Sequence, residues 1–367
     1  MPKIGIITPF SNEFPFMARD FVRGIKLAFV ENEDFQFVHA ETERGIPNEV
    51  SPLLRQLVIK EEVHLVIAFL ESTIVNHIKG FVEQTQIPVI ISGMGARLPL
   101  ASADNVPSIF YNSFRLWESC WLSGQQAVTA YGKKSGVFSS FFDGGYPLTY
   151  AHMKGAETMG GEPAFFAITH KDKTEEELAR ARQSMEQFTS DYYFTSYYGK
   201  ERAAILDWFK QIGVNVEKLV ASPGIRPNGE TAMTVTSWHH DWDTPQNREF
   251  CEMYRNSYSS EPDEFVMLGY ENGLWVKHAL QNDVTKFNQE KFTERLKTAN
   301  FIGPRGEVSI NAKTHVASSN HLLVHVDVET HQKLFKILDY PHPEIEQEIE
   351  ANQPANLMGW QNTYLCK

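Results

Sequence analysis

Cysteine is scarce in this chain, with three in 367 residues, at Cys120, Cys251 and Cys366. An odd number at such wide spacing excludes a disulfide framework and a thiolate zinc site. Long apolar runs are lacking too. The most apolar segments, residues 63–70 and 88–91, fall far short of the ~20 residues of a membrane-spanning helix, so direct membrane insertion is not expected. Positive charge is in deficit: 34 Lys and Arg stand against 46 Asp and Glu, a formal charge of −12. Nucleic acid and anionic membrane bind through basic excess and are poor partners for such a chain.

Signatures of chemistry are missing as well. There is no Gly-x-Ser-x-Gly elbow and no phosphate-loop Gly-Lys-Ser/Thr, and Thr8-Pro9-Phe10-Ser11 stands where a dinucleotide fold would carry Gly-x-Gly-x-x-Gly. Carboxylate pairs such as Glu61-Glu62 fit solvated helix faces. His239-His240-Asp241 with Asp243 invites a metal, but neighbours on an extended segment point to opposite faces. The other histidines form no His-x-x-x-His pair on a predicted helix. The expectation is a protein without catalysis, cofactor or metal.

The apolar pattern alternates strands with amphipathic helices. Strands at 4–7, 35–39, 65–70 and 89–92 are separated by helices marked by Met17, Phe21 and Ile25, by Val50, Leu54 and Leu57, and by Val75, Ile78 and Val82. After Phe110 the alternation restarts, with helices at 118–131, 152–159, 175–188 and 201–212 and strands at 136–142, 163–168, 192–196 and 218–221. Helices at 246–258, 265–281 and 289–298 follow, then a strand at 321–328 and an irregular, proline-bearing tail. Such alternation implies parallel sheets covered on both faces, and the length exceeds what one core usually serves. The fold expected is α/β: two doubly wound parallel-sheet lobes joined by a three-strand hinge. Lobe 1 takes residues 1–112 and 239–317, lobe 2 takes 113–238 and 318–340, and 341–367 form a tail packing on the lobes.

The strand at 65–70 delivers Glu71-Ser72-Thr73 to a helix start. Open N–H groups and two hydroxyls at such a turn suit a carboxylate or another small acceptor, or simply cap the helix.

Taken in order, several segments resemble the type-I periplasmic substrate-binding proteins of the leucine/isoleucine/valine class. They are Ile4-Gly5-Ile6 with Thr8-Pro9-Phe10-Ser11, Gly24 to Ala28, Val66 through Thr73, and Ile87-Pro88-Val89-Ile90-Ile91-Ser92. Phe114-Arg115 ahead of Gly124, Gly269-Tyr270-Glu271 and Gly303-Pro304-Arg305-Gly306-Glu307-Val308 complete the set. The resemblance implies the periplasmic binding protein type I fold and a non-catalytic role. Hinge closure would capture a small polar organic ligand, amino-acid-like or a carboxylate or amide, for an ABC-type importer. It places ligand contacts at Ser72 and Thr73 with Glu71 beside them, at the turn of Gly93, Gly95 and Ala96, at Tyr146, and at Tyr197 or Tyr198. Phe10, Trp117, Trp238 and Phe265 are candidate apolar walls, with core or hinge packing the alternative for each. Two departures stand out: no hydroxyl residue lies near Ala96, and Ser222-Pro223-Gly224 carry no carboxylate where amino-acid binders hold an ammonium group. The implied partners are a small molecule and a membrane permease, and the implied location is periplasmic or extracytoplasmic after removal of a leader. The alternative is a cytoplasmic small-molecule sensor of the same fold that regulates a partner protein, because the strand at 4–7 leaves no room for a leader.

Overall fold

The computed structural model describes residues 2–30, 35–97, 99, 105–141, 145–170, 173–224, 232–281, 287–327 and 329–352. Two compact units form. Unit 1 takes Met1–Phe114, Trp238–Asn320 and Tyr340–Lys367, and unit 2 takes Arg115–Ser237 and His321–Asp339.

Unit 1 opens with β1 (Lys3–Pro9), α1 (Met17–Leu27), β2 (Gln36–Thr42), α2 (Pro47–Ile59), β3 (Leu65–Phe69), α3 (Val75–Thr85), β4 (Val89–Gly93) and β5 (Ile109–Ser113). The strands make a parallel sheet of order β2-β1-β3-β4-β5. β3 is buried at every position, as a central strand covered on both faces must be. Val66 and Ala68 share one core with Leu54 and Leu57 of α2 and Ile78 and Val82 of α3. β5 carries Tyr111, Asn112 and Ser113 at its end, a polar and aromatic sequence that hides its strand character, and it was not among the strands expected from sequence.

Unit 2 continues with α4 (Leu116–Tyr131), β6 (Lys134–Ser140), α5 (Gly145–Thr158), β7 (Glu162–Thr169), α6 (Glu175–Gln187), β8 (Tyr192–Ser196), α7 (Gly199–Gln211), β9 (Leu219–Ala221) and β10 (Met233–Thr236). Its parallel strands run β10-β9-β8-β6-β7, the same wound order as in unit 1. A capping box starts α6: the Thr174 hydroxyl accepts from the Glu177 N–H at 3.1 Å, and the Glu177 carboxylate accepts from the Thr174 N–H at 3.0 Å.

The chain then returns to unit 1 with α8 (Pro245–Tyr258), α9 (Glu264–Leu280), α10 (Gln289–Lys297) and a small antiparallel sheet of β11 (Asn300–Gly303), β12 (Gly306–Ile310) and β13 (Ala317–Ser318). α1 and α9 cover the second face of the parallel sheet, where Phe69 meets Phe21 at 5.1 Å and Phe265 at 5.5 Å, edge to face. Burying a side chain of this size contributes about 1.5–3 kcal/mol. The two helices touch at backbone distance. A Cβ on Gly24 would stand 2.1 Å from the Val266 carbonyl oxygen, and one on Gly269 would stand 2.2 Å from that of Phe21. Phe265 is therefore a core residue, and so is Trp238, whose Nε1 donates to Asn247 Oδ1 at 2.8 Å within unit 1.

Finally β14 (His321–Val326) and β15 (Lys333–Leu338) extend the unit 2 sheet antiparallel beside β10, and α11 (Pro343–Asn352) belongs to unit 1. The segment expected as an irregular tail thus begins as a helix with Ile345 buried, since Pro343 sits at its first position, where its missing N–H costs nothing. Residues 353–367 of that tail lie outside the described residues.

Candidate functional site

Doubly wound sheets bind ligands at the carboxyl ends of their strands, where connections leave in opposite directions. In unit 1 that point falls between β1 and β3. Phe10 and Ser11 follow β1, Glu71, Ser72 and Thr73 follow β3, and Gly93 ends β4 with Met94 to Arg97 after it, so the sheet gathers these candidates on one edge.

Each turn has a local cause. The Leu70 N–H donates to Ser92 O at 2.6 Å, and a Cβ on Gly93 would lie 2.8 Å from Leu70 O, so only glycine lets the two chains run this close. Gly95 takes a φ of +71°, and the chain folds back through buried Ala96 to Arg97. Ser72 opens a short 3₁₀ turn, Ser72–Ile74, and caps nothing: neither this turn nor α3 carries a side-chain cap. Its buried hydroxyl has Arg97 Nη1 at 3.5 Å instead. Thr73 is half-buried, whereas the Phe10 ring is 56% exposed, which removes it from core packing. Glu71 is buried, and loss of hydration pushes its carboxyl up to about 7 against the opposing charge of Arg97.

A buried polar chain braces this edge from behind. Ser92 Oγ accepts from Asn272 Nδ2 at 2.7 Å, Asn272 Oδ1 accepts from Asn112 Nδ2 at 3.1 Å, and Asn112 Oδ1 accepts from Arg305 Nη2 at 2.8 Å. Arg305 also donates to Ser113 O at 2.9 Å and forms a bidentate pair with Glu271 at 2.5–3.0 Å, both side chains fully buried. The motifs around Glu271 and Arg305 are therefore two halves of one ion pair.

In unit 2 the equivalent edge follows β6 and β8. Asp143 and Gly144, ahead of the Tyr146 candidate, lie outside the described residues. Tyr146 itself falls in the first turn of α5, its side chain likewise not described. Tyr197 and Tyr198 separate by strand alternation. Tyr197 turns into the unit's own core beside Phe138, Ile205 and Leu219, with its hydroxyl 3.0 Å from Thr169 Oγ1 and Lys173 over its ring. The ring belongs to the core that α6 and α7 form with the sheet. Tyr198 is buried at the N-cap of α7, close enough to Arg202 for its oxygen to favour the guanidinium charge. Trp117 stacks on Trp121 at 5.5 Å and is core.

A periplasmic binding protein family model matches residues 2–332. The chain belongs to the periplasmic binding protein family. This periplasmic binding protein is 22% identical over 337 residues to "Leu/Ile/Val-binding protein homolog 6" of Brucella abortus, covering 87% of this chain and 85% of that one. Its fold is shared with a solute binding protein of an ABC transporter from Rhodopseudomonas palustris BisB5, solved with 3,4-dihydroxybenzoic acid (TM-score 0.74, 17% identity, 92% and 96% of the chains covered). It is shared equally with the leucine binding protein LivK from Thermotoga maritima MSB8 (TM-score 0.68, 19% identity, 93% and 99% covered). As a member of this family the protein binds a solute for transport and is not an enzyme. Among the described residues no helix is long and apolar enough to cross a membrane.

Three charged residues at these edges escaped sequence reasoning. Arg97 follows directly on the glycine turn, and its position there was the available signal. Glu201 and Arg202, in the first turn of α7, read as an ordinary helix start, yet both are buried, and burial pulls the Arg202 guanidinium down to about 10. Arg202 Nη1 donates to Ser222 O at 3.0 Å.

Proposed function

We propose that this periplasmic binding protein captures a small organic carboxylate, amino-acid-like or aromatic, by hinge closure of its two lobes and presents it to the permease of an ABC-type importer. The observation that carries the reading is Arg97 beside the buried Ser72 hydroxyl at the carboxyl ends of β4 and β3. A guanidinium and a hydroxyl next to a glycine turn match the acceptor pattern of a carboxylate. Glu71 is compatible with such a ligand because its raised pKa keeps a proton available near neutrality. Thr73, Gly93, Gly95 and Ala96 belong to the same unit 1 turns, Phe10 offers an apolar wall, and Tyr198 is the described tyrosine candidate of unit 2. The named relatives include an ABC-transporter solute binding protein solved with a hydroxylated benzoate and a leucine binding protein, which supports an importer role outside the cytoplasm over a regulatory one.

Calorimetric titration of the full chain with L-leucine, 4-methylpentanoate, benzoate and 4-hydroxybenzoate tests this. Arg97→Ala should weaken the best of them by tenfold or more, since a hydrogen bond to a charged group contributes about 1.5–3 kcal/mol. Undiminished affinity in Arg97→Ala removes the carboxylate from this edge.

A further inference from the structure

Glu201 occupies the third position of α7, where a glutamate ordinarily reaches back to the N-cap N–H. Glu177 does this at the same position of α6, and its carboxyl is held down to about 2 by His170 and the Thr174 N–H. Glu201 does not. It is 93% buried, and neither carboxylate oxygen has a hydrogen-bond partner. Folded proteins do not leave a buried carboxylate empty-handed without a reason, because its lost hydration goes uncompensated.

The same edge holds further polar atoms in that condition. Ser196 ends β8 and Ser222 follows β9. These strands pair Thr195 with Ala221, so the two serines are neighbours across the ladder. Both hydroxyls are buried and unpartnered, as is Nε of Arg202. A carboxylate, a guanidinium N–H and two hydroxyls, all lacking partners, therefore concentrate where β8 and β9 end and α7 begins. That is the carboxyl edge on which a wound sheet binds its ligand.

We propose that Glu201 is the ligand-recognising acid of unit 2 and receives a hydrogen-bond donor of the bound molecule, an ammonium or a hydroxyl group. The inference rests on the function proposed above: the captured carboxylate then also carries a hydrogen-bond donor for Glu201. It also supplies, from a helix start, the acid that Ser222-Pro223-Gly224 lack.

The test uses Glu201→Met in the full chain, which keeps the side-chain volume and removes the acceptor. Melting of the free protein should be unchanged or higher in Glu201→Met, because polar atoms buried without partners have been removed. Wild type should bind L-leucine at least tenfold tighter than 4-methylpentanoate, or 4-hydroxybenzoate at least tenfold tighter than benzoate, and the variant should lose that preference. Preference in the first pair assigns the donor as ammonium, in the second as hydroxyl. A clear fall in melting temperature, or a donor preference that survives in Glu201→Met, overturns the role of Glu201 and leaves carboxylate capture standing. Failure of all four probes to bind wild type overturns carboxylate capture and this inference with it.

Discussion

Replacing Glu71 by Gln should change how stability depends on pH. The unfolded carboxyl ionises near its ordinary value of 4.5, whereas burial holds the folded one to about 7. Between those values the unfolded chain has given up a proton that the folded chain keeps, so unfolding releases a proton and stability falls as pH rises through the window. Below 4.5 the effect is absent, and above 7 it is complete. A tenfold change in proton affinity is worth about 1.4 kcal/mol, so the gap amounts to about 3 kcal/mol. Glu71→Gln has no proton to lose. Urea unfolding of both proteins at pH 4.5, 6 and 8 should show wild type losing about 3 kcal/mol relative to the variant across the series, with the change confined to pH 4.5–7. The same ionisation places a negative charge beside a carboxylate ligand, so wild-type affinity should drop above pH 7 while that of the variant stays level. Parallel stability curves for the two proteins would refute the buried, proton-holding state of Glu71.

Breaking the buried pair with Glu271→Leu should cost about 3–5 kcal/mol, because Arg305 is left charged and enclosed; a thermal melt within a degree of wild type would contradict this. Gly24→Ala should lower the melting temperature and raise amide exchange in α1 and α9, since the new methyl group meets the Val266 carbonyl oxygen at 2.1 Å. An unaltered exchange pattern would mean that the two helices do not touch there.

The elements that sequence made legible were those with one strong period. β3, with five consecutive apolar residues, and α1, with Met17, Phe21 and Ile25 on one face, declare themselves. β10 and β12 do not, because Thr234, Thr236, Glu307 and Ser309 dilute the apolar signal to a few residues, and tertiary pairing decides them. The turns after β3 and β4 were readable because glycine and hydroxyl residues mark them locally. Which tyrosine enters the core was not, since Tyr197 and Tyr198 differ only in the parity of the strand before them. Burial of Glu201 and Arg202 was equally hidden: their neighbours in space, Ser222 and Tyr197, are set by sheet pairing and not by spacing along the chain.

The brace behind the β4 turn has a temporal side. A ribosome that has released the first 114 residues has made every strand of the parallel sheet in unit 1, yet none of Asn272, Glu271 or Arg305 has been translated. Ser92 and Asn112 must wait, with their polar side chains hydrated, while the whole of Arg115–Ser237, the first segment of unit 2, is synthesised. The proposed binding edge is thus made well before the residues that brace it.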